Sequence, residues 1–354
     1  MTESKRFPIS CVVFALLTVV TWAMTSGMTA VMAAGMTGRV HAHAGSDTQE
    51  QRTQEQRTNP PRVALFRMHG AVGPCSRDGD EWFSATDFAN AVVKAENDGV
   101  KTMILDIHSG GGLVESEERI IKAILESAKR GTRFIAFINS DAGSAAALIS
   151  LACKHIFVTP AAKLGAAVTV LSGPDGTVSK AKAMKDDPDL AAKYESFDAA
   201  IHQAAADQTG RSPLIATAMR QMKAELWWSP SSGFTATKQS DSAEQLDTSD
   251  RVLTLTAVQV ARTGIGTEAS SLPDVLRSLG MSGAVVEDQK SEMAKSPNKL
   301  KVLYKALRNL QAKAADSRAR EGNAQGGTTP AMTASFQAQC SKKQDEITRF
   351  ERTN

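Results

Sequence analysis

From Val63 onward the apolar positions follow two rhythms in turn. Val63 to Val72 is a β-like run, and Phe83 to Glu96 spaces Phe88, Ala91 and Val92 as a helix does. Lys101 to Ile107 is a short apolar strand that ends in Ser109-Gly110-Gly111-Gly112. Glu117 to Lys129 is amphipathic, with Ile120, Ile121, Ile124 and Leu125 on one face and Arg130-Gly131 as its stop signal. Phe134 to Ile138 predicts the next strand. Asp141-Ala142-Gly143-Ser144 then turns into an Ala-rich helix reaching about Cys153, and Ile156 to Val158 is a third strand. Strands alternating with helices predict an α/β fold with βαβ units and a mostly parallel sheet.

The ends differ from this middle. Lys5 and Arg6 precede an apolar stretch from Ile9 to Met24, which continues more weakly to Gly35, and Ala42-His43-Ala44 follows. That order describes a secretory signal peptide over residues 1–44, cleaved after Ala44, with an uncleaved anchor as the alternative reading. Either reading exports the chain, to the periplasm or the outer side of a membrane. Residues 45–61 are polar and read as a linker, and the folded domain is expected over residues 62–286. Over residues 287–354 the composition turns basic. Lys290 to Arg320 holds nine basic residues against Glu292 and Asp316, with Leu300, Leu303, Leu307 and Leu310 on one helical seam. Such a seam packs on the domain, pairs with another subunit or rests on anionic lipid. Gly322 to Ser335 reads as disordered and the last residues as a short helix or tail.

Composition narrows the functions. The 354 residues carry 41 basic and 38 acidic side chains, and a net charge of +3 with 5% aromatics gives no case for nucleic acid. Four cysteines are too few for a disulfide scaffold. Cys153 reads as a core residue, whereas Cys75 and Cys340 could pair in an oxidising compartment. The cysteines and histidines lack metal-ligand spacing and no P-loop string occurs, so neither metal nor cofactor is expected.

In such sheets chemistry sits where strands end and helices begin. The Gly110-Gly111-Gly112 loop suits close approach of backbone N–H groups to a developing oxyanion, or is simply a tight turn. Ser144, flanked by Gly143, Ala145, Ala146 and Ala147, is either an exposed nucleophile at a positive helix end or an ordinary N-cap serine. The Gly-x-Ser-x-Gly elbow is absent, because Ala142 and Ala146 stand where that pattern needs glycine.

Together these loops resemble a known family. Val100 to Val114, followed by Phe134 to Ala167 with Leu164-Gly165-Ala166-Ala167 at its end, is similar to the ClpP/crotonase superfamily, in the branch of membrane-associated serine proteases of the signal peptide peptidase A and NfeD type. Ala206 to Arg211 and Leu253 to Ala257, on through Gly264 and Leu272, extend the resemblance, which covers roughly Arg62 to Gly283. It implies a spiral of ββα units, here with a helical C-terminal extension, and a serine–lysine peptidase acting on membrane-derived or exported peptides as a homo-oligomer. Ser144 would be the nucleophile, with the oxyanion hole from the amides of Gly111 or Gly112 and of Ala145. The base would be a lysine near the helix before Gly210. Of Lys180, Lys182, Lys185 and Lys193, the last begins the helix expected over Lys193 to Gln208 and matches a lysine common in the NfeD branch; the other three read as solvated. A lysine base needs a pocket that favours its neutral form.

Three departures bear on activity. Gln203 stands where some relatives carry a basic residue, Ala146 replaces a glycine, and Gly110 replaces the usual proline. A peptide-binding protein of the same fold without catalysis is therefore the alternative. Thr169 occupies the neighbourhood of the histidine of ClpP proteases; His202 and His108 both read as structural or solvent-facing, with His202 as a base the alternative. A crotonase-type acyl-CoA enzyme is disfavoured by export, and Glu115 and Glu117 read as helix N-terminal charges. Trp227 and Trp228 read as one ring in the core and one at a surface, with apolar peptide binding as the functional alternative.

Overall fold

The computed structural model describes residues 60–75, 82–173, 176–179, 188–295, 298–321 and 330–353. The expected signal peptide, the cleavage site at Ala44, nearly all of the linker, and Lys180, Lys182 and Lys185 lie outside the described residues.

β1 (Arg62–His69) passes through Gly70, at φ 74°, into β2 (Ala71–Gly73). β3 (Trp82–Ser84) leads into α1 (Ala85–Asn97). The helix begins two residues later than its apolar spacing suggests, because the Ser84 hydroxyl accepts the Asp87 N–H and fixes the N-cap there. β4 (Thr102–Ser109), α2 (Val114–Lys129), β5 (Arg133–Gly143), α3 (Ala145–Ala152) and β6 (His155–Val158) follow as successive strand–helix units. β5 runs on to Gly143 through residues expected in a turn. Its end pairs with β7 (Lys163–Gly165), which holds Asp141 to Gly143 extended despite their polarity.

The hairpin β8 (Val170–Gly173) and β9 (Gly176–Ser179) precedes α4 (Pro188–Thr209) and α5 (Pro213–Arg220). Leu226 to Asp250 contains a small antiparallel sheet of β10 (Leu226–Ser229), β11 (Gly233–Thr235) and β12 (Glu244–Asp247). Trp228 packs on the main core there, and the Trp227 indole N–H donates to Glu225. β13 (Thr254–Thr256), α6 (Ala257–Arg262), β14 (Thr267–Glu268), α7 (Leu272–Ser278) and β15 (Val285–Asp288) complete the domain. A 3-10 turn (Gln289–Ala294) then leads to α8 (Asn298–Glu321) and α9 (Pro330–Thr353). α9 corrects the reading of disorder as far as Ser335: Pro330 at its first turn is preset for helix, and the run to Thr353 is long.

The main sheet has the order β13-β7-β5-β4-β1-β15, with β6 also paired to β5 and carrying β14; apart from the β13–β7 pair its ladders are parallel. This is the α/β fold with a helical C-terminal extension that the sequence predicts. Alternate side chains of each central strand leave on opposite faces. Ala64, Phe66, Met68, Met103, Leu105 and Ile107 face the core beneath α1, α2 and α3. Val63, Leu65, Ile104, Ile135 and Phe137 face a second core closed by Val275 and Leu276 of α7. Burial on both faces is why Met103, Ile104 and Leu105 of β4 follow one another without alternation. A third, smaller cluster joins Cys75 to Leu300, Leu303, Leu307 and Ile347, so the leucine seam of α8 packs on its own domain. Cys75 within this cluster and Cys340 packed against it are thiols, and burial pushes the Cys153 thiol up to about 12, which keeps it protonated.

Candidate active site

Ser144 stands between β5 and α3 at φ 51° and ψ −127°, in a region that side chains with a Cβ rarely occupy. The Ser144 N–H donates to the Gly165 carbonyl at 2.9 Å, which pins the turn to β7. Its hydroxyl makes no cap bond to the helix it precedes, so the N-cap reading does not describe it. α3 is buried along its whole length, and its small residues Ala145, Ala146 and Ala147 let it enter beneath the turn without crowding. At its far end the Arg211 guanidinium donates to the carbonyls of Leu151, Cys153 and Lys154 at 3.0, 2.6 and 3.2 Å, satisfying the negative end of the helix dipole. The Gly-Arg pair noted in the sequence thus holds the serine helix.

The glycine loop meets this turn directly. Gly111 has φ 99°, and a Cβ there would lie 2.5 Å from the Ser144 Cβ and 2.8 Å from the Ala145 nitrogen. The Gly111 N–H donates to the Ser109 hydroxyl at 3.1 Å, and that hydroxyl donates to the Gly70 carbonyl at 2.5 Å. Gly112 bridges Val72, but the two bonds of the bridge use the Gly111 carbonyl and the Leu113 N–H, leaving the Gly112 N–H outside the ladder. The Ala145 N–H lies in the first turn of α3, where a helix supplies no partner. The amides of Gly112, which lines one groove with Ser144, and of Ala145, the next residue after it, are thus unengaged, whereas the Gly111 amide serves the loop itself.

Ser144 opens onto a groove of about 540 Å3 lined also by Gly112, Glu117, Thr169, Trp82 and Arg308. No lysine lines it among the described residues. Lys193 is exposed on α4, away from that lining. His202 is buried on the same helix and does not reach the groove lining either.

Glu117 lies in the first turn of α2, beside Glu115, as the sequence predicts. The structure adds what its position alone does not tell: it is buried, lines the Ser144 groove, and bonds His202 at 2.7 Å. The His202 Nδ1 is buried without a hydrogen-bond partner, and behind the pair Asp198 and Arg220 form a second buried ion pair. The only sequence signal was the register of Glu117 with Ile120, Ile121 and Ile124 on the inward face of α2.

Burial holds the Glu117 carboxyl above its ordinary value of 4.5, with the His202 bond and charge opposing. A carboxyl raised in the folded state binds its proton more tightly there than when unfolded. Its contribution to stability is therefore complete at low pH and is lost as pH climbs through the raised value. Glu117→Gln keeps the shape without the charge, so its melting temperature is expected to gain on wild type by roughly a few degrees as pH rises from 4.5 to neutrality. A difference that stays constant across that range would show that His202 offsets the burial completely.

Among the described residues no group of three His, Cys, Asp or Glu side chains is placed to hold a metal ion. No described helix is long and apolar enough to cross a membrane.

A family model described as "NfeD1b, N-terminal domain" matches residues 85–289. No curated protein matches the chain. Similar solved structures include the 1510-N membrane-bound stomatin-specific protease, at TM-score 0.46 and 15% identity over 65% of this chain and 98% of that one. They also include the 1510-N membrane protease specific for a stomatin homolog from Pyrococcus horikoshii, at TM-score 0.39 and 16% identity over 65% and 92% of the two chains. A variant of ClpP1 from Listeria monocytogenes follows at TM-score 0.36 and 15% identity over 64% and 99%.

Proposed function

The chain belongs to the NfeD1b N-terminal domain family, and from that premise we propose that it is a serine peptidase in which Ser144 attacks peptide bonds of extended segments. The observation that carries the reading is the conformation of Ser144: a strained backbone, a hydroxyl with no capping role, and two unengaged amides beside it. The Ser144 Oγ attacks the scissile carbonyl carbon while its proton passes to a neutral lysine amine. The Gly112 and Ala145 N–H groups receive the oxyanion. Collapse returns the proton to the leaving amine and leaves an acyl-enzyme, which water hydrolyses by the same steps.

The base is assigned to a lysine of residues 180–193. An amine that acts as base needs desolvation or a neighbouring cation to favour its neutral form. Lys193 is exposed and apart from the groove, so Lys180, Lys182 and Lys185 return as candidates beside it. With an intact wild type as reference, the base variant is expected to lose roughly 10³-fold or more in kcat, and the three other alanine variants to stay within about threefold. If all four retain activity, the lysine assignment is wrong and His202→Ala becomes the next variant to assay.

The substrates are proposed to be exported or membrane-derived peptides, and the protein an exported homo-oligomer that also contacts the membrane surface. One observation favours a second reading. The exposed Lys193 and a groove without lysine among its described lining suit a protein that binds peptides and leaves them intact. A fluorophosphonate probe separates the two: a peptidase is labelled at Ser144, as read by mass spectrometry, and a binding protein is not.

A further inference from the structure

We infer that the two C-terminal helices form one wall of the Ser144 groove and hold its ligand, an extended peptide, through the peptide's main chain. The inference rests on the reading of this groove as the substrate site. It concerns a part of the chain that the family domain does not include, since that match ends at residue 289 and the helices begin at Asn298.

The placement follows from two neighbouring stripes on α8. Leu300, Leu303 and Leu307 are buried with Ile347 of α9 around Cys75, which anchors the helix pair just after β2. β2 is also the strand that the glycine loop bridges, so the anchor and the oxyanion loop share one support. Tyr304, Arg308 and Gln311 lie four and three residues apart on the adjacent stripe, and all three line the groove across from Ser144 and Gly112. Gln344 of α9 joins them. The Arg308 guanidinium is seated over the Trp82 ring, 5.8 Å from its centre, which fixes its height in the groove.

Docking for stability alone would need the leucine stripe and no space beyond it. Instead about 540 Å3 stays open between the helices and the serine, within the range of sites that hold small ligands or a short length of peptide. A folded protein does not enter a space of that size, whereas an extended segment does. The chemistry of the wall also favours main chain over side chain. Gln311 and Gln344 are exposed amides that both donate and accept, Tyr304 can do either, and Arg308 donates. A peptide backbone offers a donor and an acceptor at nearly every residue, so such a wall accepts many sequences provided that they are extended.

The test measures binding apart from cleavage. A fluorescein-labelled peptide of about ten alanine, leucine and serine residues is titrated into the full-length Ser144→Ala protein and followed by anisotropy. Adding Gln311→Ala and Gln344→Ala, both at exposed positions, is expected to raise Kd about tenfold at an unchanged melting temperature, and adding Arg308→Ala to raise it further. Arg308→Lys should restore only part of the last loss, because lysine keeps the charge but not the planar fork. Unchanged Kd in the glutamine variants, or no peptide binding to the Ser144→Ala protein at all, overturns the inference. Fluorophosphonate labelling of the wild type reports on the nucleophile separately. Labelling with unchanged Kd keeps the peptidase and removes the wall, and weakened binding without labelling keeps the wall and removes the peptidase.

Discussion

Replacing Ser144 with alanine is expected to abolish peptide hydrolysis, by roughly 10³-fold or more, while leaving the melting temperature within about one degree of wild type. The two halves of that expectation have separate causes. Activity is lost because the proposed attacking oxygen is removed, and an alanine methyl cannot replace it. Stability is kept because the hydroxyl makes no cap bond to lose, and alanine meets the same backbone strain at φ 51° as serine does. Ser144→Gly sharpens the comparison. Glycine adopts that conformation without a Cβ penalty, so this variant should be inactive and more stable, by about 1 kcal/mol. Thermal unfolding of the three proteins beside a peptide-cleavage assay gives the answer. An alanine variant that still cuts, or one that melts several degrees lower as a lost helix cap would, removes Ser144 from the role of nucleophile.

The second large effect belongs to Gly111. An alanine there would place its Cβ 2.5 Å from the Ser144 Cβ and 2.8 Å from both the Ala145 nitrogen and the Gly143 carbonyl, at φ 99°. Two of those three neighbours are backbone, which moves only if the serine turn or the glycine loop moves. On the proposed mechanism, either shift displaces the Gly112 amide relative to Ser144. The expected loss is about 10²- to 10³-fold in kcat, the size seen when an oxyanion donor is removed, with roughly 1–3 kcal/mol of stability. Gly110→Ala is the matched control: its Cβ meets nothing within 4 Å and its φ is not in the left-handed region. It should fold and cut like wild type. Equal effects from the two substitutions would mean that loop flexibility, not the contact with Ser144, sets the rate.

The parts of the fold that could be read in advance were those whose signal is local. The apolar run at Thr102–Ser109 and the inward face of Val114–Lys129 are each complete within one element, and both appear nearly where their patterns place them. The serine and glycine loops were legible for the same reason, since close backbone approach demands small residues whatever the partner is. Long-range pairings left no such mark. Asp141 looks like a turn residue until β7 pairs with it, and nothing in the sequence joins the helix N-terminal charge Glu117 to His202, 85 residues away. The leucine seam of α8 announced that it packs on something, and only the tertiary structure names Cys75 and Ile347 as its partners. Arg211 was noticed as part of a motif, but its work at the end of α3 is a matter of carbonyls that no pattern displays.

The order of strands in the main sheet has a consequence for the chain as it is made. β1 is the first strand of the domain to leave the ribosome, yet its outer neighbour is β15, so Arg62 must wait for Val285. Until then one side of β1 is an open edge, able to pair with any other extended chain nearby. Pairing across such a sequence separation also ranks among the slow events of folding, because a long loop must close first. The helices that border the groove arrive later still. A product stalled or clipped ahead of Val285 therefore combines a sticky edge with an unfinished groove, a hazard for aggregation.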